Sequence, residues 1–197
     1  LSMQDYPNAM WFDEDYMGDL VVDPTLTAMA GGGNTNVGVA REALELIAYV
    51  VGNGLPFSEV LTAAYTVVNP YSQITYGAVL LDGEQFADPY DPTEFRPAVI
   101  PGIPHAGVLS SPVFLNRFPT TDTNRNRHRA RMTFNIFLAT DVLKLAERPV
   151  DPTAIVDHNP TMFNPQCTVC HTTIDPLAGA FQNWSEQGRY LPPEEGW

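Results

Sequence analysis

Both cysteines of this 197-residue chain fall in one five-residue run, Cys167-Thr168-Val169-Cys170-His171. The spacing dictates what the segment must become. A short helical stretch puts the two thiols on one edge, where both can form thioethers with the vinyl groups of a haem. The next residue then presents an imidazole nitrogen to the iron from the same side. C-x-x-C-H is the attachment signature of c-type haem. Covalent haem c is therefore the expected cofactor, with Cys167 and Cys170 as its anchors and His171 as the proximal iron ligand. Asn164-Pro165 supplies an N-cap and a first-turn proline for the segment. Two other readings stand beside this one. A thioredoxin-like disulfide would open a helix after a strand, and no strand is expected here. A zinc site needs four ligands, and the chain has no second cysteine pair.

Charge narrows the partners. Lys and Arg number 10 against 23 Asp and Glu, a net charge of −13. A phosphate backbone or an anionic lipid surface is bound mainly by clustered cations, so nucleic acid and such membranes are disfavoured. A basic docking patch on a redox partner, or on neighbouring haem domains, is the surface such a polyanion is steered to. No apolar run is long enough to span a bilayer directly. The chain starts without an export signal and ends in what reads as the middle of a loop, so a processed or partial chain is expected.

Periodicity gives the course of the chain. Residues 1–38 form an irregular N-terminal arm. A helical-pair module follows over 39–77: Val39, Ala43, Leu46, Ile47, Val50 and Val51 recur at helical spacing, with Asn36 as N-cap and Gly52-Asn53-Gly54 as the stop. Ser58 caps a second helix carrying Leu61, Ala64, Tyr65 and Val68, which Asn69-Pro70 ends. The remainder, 78–197, reads as the haem-binding module, packed with the rest as one unit. Its first part to residue 120 is a long loop full of turn dipeptides. A third helix over about 127–146 buries Met132, Ile136, Phe137, Val142, Leu143 and Leu145. Asp175-Pro176 forms a turn after the motif. The fold class is mostly α, a loop-rich helical cytochrome c-like module with long Pro- and Gly-rich connections.

The residues around the motif carry a resemblance. From Cys167 to Tyr190 the chain is similar, without a gap, to C-x-x-C-H-x-x-[IM]-D-P-L-G-x-A-x-x-N-[FW]-D-x-x-G-R-[WY], a pattern of the planctomycete-type cytochrome c proteins. Ala178 stands where that pattern has Gly, and Ser185 where it has Asp. Upstream, Arg129 to Thr140 resembles the family's R-G-K-W-V-L-E-N-L-L-G-T helix, and His105 to Leu109 its H-R-x-G-L-L segment. Pro56 to Asn69 resembles a P-F-T-E-L-L-T-A-D-Y-T-x-V-N motif of the neighbouring module. The resemblance implies a mostly helical, exported, haem-bearing module of larger proteins that moves electrons. It names no substrate.

The sixth iron ligand is not in the tail, because residues 172–197 hold neither Met nor His. His105, Met162 and His158 are the distal candidates, in that order. Met132 and His128 read better as a core and a solvated side chain. Arg189 and Arg129 are candidates to pair with the haem propionates. Three functions compete. The first is a monohaem electron-transfer module in the periplasm or at the outer cell surface. The second is a five-coordinate enzyme or sensor for peroxide, oxygen or nitric oxide, with His105 or Arg129 in its distal pocket. In the third, haem mainly staples a structural module of a surface assembly.

Overall fold

A computed structural model describes residues 33–146, 158–191 and 193–194. The expected arm lies outside the described residues as far as residue 32. The chain divides into two compact units, Leu1–Arg117 and Phe118–Trp197. The boundary expected between residues 77 and 78 falls inside the first. The fold is mostly helical, and among the described residues no helix is long and apolar enough to cross a membrane.

The first unit is organised by α1, Gly33–Gly52, which already runs through the expected cap Asn36. Its apolar stripe buries Val39, Ala40, Leu46 and Val50, because one residue in every three or four faces the interior. The expected second helix is only one turn, α2, Glu59–Thr62. The chain leaves the helix at Ala63, and β-branched Thr66-Val67-Val68 become strand β1, Thr66–Val68. Asn69-Pro70 then starts a helix rather than ending one. Asn69 Oδ1 accepts from the Tyr71 and Ser72 amides at 3.1 and 2.9 Å, and Ser72 Oγ accepts from the Asn69 amide. Pro70 needs no donor at the first helical position. This capping box opens α3, Pro70–Tyr76.

The loop expected over 78–120 contains structure of its own. Strands β2, Val79–Leu80, and β3, Arg96–Val99, join β1 in an antiparallel sheet of order β1-β3-β2, with Thr66 opposite Ala98 and Ala98 opposite Leu80. Val39, Val68, Tyr76, Ala78, Leu80 and Ala98 close into one cluster under α1. Helix α4, Pro112–Arg117, packs on α1. The 106–108 turn docks on α2: the Gly107 amide donates to Ala63 O and the Val108 amide to Val60 O, both at 2.9 Å. Gly107 has φ +50, and a Cβ there would lie 2.1 Å from Val60 O. Only glycine fits.

In the second unit, the expected helix over 127–146 is broken. It runs as α5, Arg127–Phe137, and a 3-10 turn follows at Val142–Leu145. Between them Ala139 takes φ +49. Of the side chains expected in the core, Val142 is buried, but Ile136, Leu143 and Leu145 are exposed. The inward stripe of α5 is Ala130, Thr133 and partly buried Phe134, and the break lets Val142 join it from the 3-10 turn. One-turn α6, Pro160–Phe163, precedes the long α7, Pro165–Ala180. Helix α7 packs on α5, α6 and the 3-10 turn. Its Ile174 and Ala178 meet Ala130 and Val142 in the core of this unit.

Candidate functional site

Helix α7 begins as its sequence requires. The Asn164 side chain accepts from the Gln166 amide at 2.9 Å, and Pro165 occupies the first turn. Cys167, Cys170 and His171 follow within two turns, at the spacing that continues the stripe of Ile174 and Ala178 toward the N-terminus. The face that anchors the helix in the core is thus the face that carries the motif. Both thiols are free and half-buried. Among the described residues no group of three or more His, Cys, Asp or Glu is arranged around a common metal position.

Asp175 and Pro176 are not a turn but helix interior. Pro176 is exposed, so the helical hydrogen bond it forgoes lies where water can replace it. This puts Asp175 one helical turn beyond His171. The His171 Nδ1 lies 3.0 and 3.1 Å from the two carboxylate oxygens. Arg127, at the start of α5, donates Nε to Oδ1 at 2.7 Å and an Nη to Oδ2 at 3.2 Å. Burial works to raise the Asp175 carboxyl, but hydrogen bonds from Arg127 and His171 and their charge outweigh it and hold it below the usual carboxylate range. An ionised carboxylate only accepts, so in the neutral ring the proton sits on Nδ1 and the lone pair on Nε2. A cleft of about 210 Å³ borders the pair, lined by Arg125, Asn126, Arg127, Asp175, Ala178 and Gln182 among others.

The surroundings of the motif are apolar and open. Met162 and Phe163 of α6 are 65% and 69% exposed, and Val169 lies exposed between the two cysteines. Leu143 and Leu145 are exposed on the 3-10 turn that packs on α7. These residues fit a haem c: two free thiols three residues apart, an imidazole with its rear nitrogen held, and apolar side chains to take a macrocycle.

The remaining expected site residues each have surroundings of their own. His105 belongs to the first unit; its Nε2 accepts from the Ile100 amide at 3.0 Å, and burial lowers its pKa. His158 is exposed. Met162 Sδ accepts from Asn159 Nδ2 at 3.1 Å, on the short helix that packs against α7. Arg129 differs from its expected role. It is fully buried and donates to Phe118 O, Asn126 Oδ1, Trp184 O and Ser185 O. Those bonds fasten the 184–190 turn to α5, so its guanidinium is not displayed to a propionate. Arg189 is half-buried, with its main chain paired to Ser185. The Arg127–Asp175 pair has one local mark in the sequence, the i, i+4 spacing of His171 and Asp175, which Pro176 masks because proline commonly ends a helix.

Comparison of the chain with protein-family models, curated proteins and solved structures gives no match.

Proposed function

We propose that the protein is a monohaem c-type cytochrome module that carries electrons outside the cytoplasm. The observation that supports this best is the placement of Cys167, Cys170 and His171 on the core-facing stripe of α7, with His171 Nδ1 held by Asp175. A bound haem supplies a one-electron iron centre. The chain's own residues would hold it: Cys167 and Cys170 would each form a thioether, His171 would offer Nε2, and Asp175 holds the ring by Nδ1. Exposed Met162 and Phe163 are apolar groups that would exclude water from a bound macrocycle. Met162, on the helix that packs on α7, is the distal candidate we favour; its Sδ would have to release the Asn159 amide, as His105 Nε2 would the Ile100 amide. A net charge of −13 favours docking on a basic partner, weakened by salt.

The test is a visible spectrum of protein produced in a host that attaches haem, taken oxidised, reduced and reduced with carbon monoxide. Haem that stays with the denatured chain, and is lost in the Cys167→Ala, Cys170→Ala double variant, supports covalent attachment. A reduced low-spin spectrum indifferent to carbon monoxide supports a closed electron carrier. A spectrum that shifts with carbon monoxide moves the reading to a sensor or peroxide enzyme. Absence of covalent haem ends it.

A further inference from the structure

We infer that Arg127 and Asp175 are positioning residues that set the reduction potential through His171, Asp175 strengthening the ligand and Arg127 moderating Asp175. The inference rests on haem attachment at His171. The geometry is a linear chain of contacts. Both carboxylate oxygens lie within 3.1 Å of Nδ1, and both are also engaged by the Arg127 guanidinium in a two-point ion pair. A carboxylate behind an imidazole pulls on the Nδ1 proton and gives Nε2 anionic character, which makes it a stronger donor to iron. A stronger donor favours ferric over ferrous iron and lowers the potential. A guanidinium on the same carboxylate draws its charge away and reduces that pull.

The arrangement joins two helices, since Arg127 opens α5 and His171 and Asp175 lie on α7. Any partner or anion that engages Arg127 from the neighbouring cleft would therefore reach the iron ligand without touching it. The redox step itself is simple: one electron from a mediator dye converts ferric to ferrous iron, and no bond in the chain forms or breaks.

The experiment is a potentiometric titration of the holo-protein and of Asp175→Asn, Arg127→Gln and the double variant, with the iron–imidazole stretch, read by nuclear resonance vibrational spectroscopy so that a six-coordinate low-spin site also reports, as a second readout. Asp175→Asn is expected to raise the potential and lower that stretching frequency. Arg127→Gln is expected to lower the potential and raise the frequency. In the Asp175→Asn background, Arg127→Gln should have almost no effect, because Arg127 acts through the carboxylate. Additive shifts would mean that the two charges act independently through space, and would overturn the inference, as would unchanged potentials. Should Asp175→Asn not fold, Asp175→Ser takes its place in the cycle. A parent protein without covalent haem overturns the attachment reading and this inference with it; attached haem with additive shifts overturns this inference alone.

Discussion

The Tyr76 hydroxyl donates a 3.1 Å hydrogen bond to Oε2 of Glu42 inside the first unit, while Glu42 Oε1 is buried without a partner among the described residues. Glu42 is 1% exposed. Burial pushes its carboxyl from the ordinary 4.5 up to about 8, and the Ser72 and Tyr76 hydroxyls pull it back only in part.

That shift has a sign. Below about pH 4.5 folded and unfolded chains both hold the Glu42 proton; between 4.5 and 8 only the folded chain does. Glu42 therefore lowers stability as pH rises through that window, by up to roughly 1.4 kcal/mol per pH unit, and its effect levels off above about 8. Urea unfolding followed by circular dichroism from pH 5 to 9 should show the slope, and Glu42→Gln should flatten it while raising stability at pH 8. An unchanged slope in Glu42→Gln would assign the pH dependence to other groups.

Arg129 is a structural cation. Replacing it with Met removes its hydrogen bonds to Phe118 O, Asn126 Oδ1, Trp184 O and Ser185 O, and takes the guanidinium donor from the buried Trp184 carbonyl. The expected loss is about 3 kcal/mol or more. Arg129→Lys should recover little of it, because one ammonium cannot reproduce the planar fork. Fluorescence of buried Trp184 reports the transition, together with that of the other tryptophans.

Gly107 and Gly102 separate two costs of adding a methyl group. Both have positive φ, but a Cβ at Gly102 meets nothing within 4 Å, whereas at Gly107 it would strike Val60 O. Gly102→Ala should cost about 1–2 kcal/mol from backbone strain alone. Gly107→Ala should cost about 3–4 kcal/mol, since the turn must also lift from α2. Comparing melting temperatures of the two variants is sufficient, and equal shifts would refute the contact.

Asn164→Ala tests the cap of the motif helix. The Gln166 amide loses its acceptor, so its hydrogen exchange should accelerate, with about 1 kcal/mol lost from the helix start. Exchange at the Ile174 amide, deep in the same helix, should change far less.

The helix that carries the candidate site was legible from residues close in sequence. Asn164-Pro165 before the motif, and the thiol and imidazole spacing after it, are local signals, and α7 begins where they say. Helix α1 was legible for the same reason, a stripe repeated over five turns. Asn69-Pro70 was not, because the pair can close one helix or open another, and only the Ser72 hydroxyl and the two amides on Asn69 decide which. Strands of two to four residues are too short to show alternation, and their partners lie some thirty residues away in the sequence (Thr66 with Ala98). Arg129 sits among arginines at a helix start and looks solvated; its acceptors at Trp184 and Ser185 come from a distant turn that leaves no mark on its neighbours.

In the second unit α7 meets α5 and the 3-10 turn through a small cluster, Ala130, Val142, Ile174 and Ala178, two of them alanines; Phe181 and Trp184 are buried beyond it, but Met162, Phe163, Leu143 and Leu145 are exposed. Small domains of this kind gain a large share of their stability from a metal, disulfide or cofactor. A flat apolar group seated there would bury several of those side chains at once, at roughly 25 cal/mol per Å². Maturation and folding would then be one event. A polypeptide without such a group would then be cleared simply because proteases reach it first, with no separate inspection step.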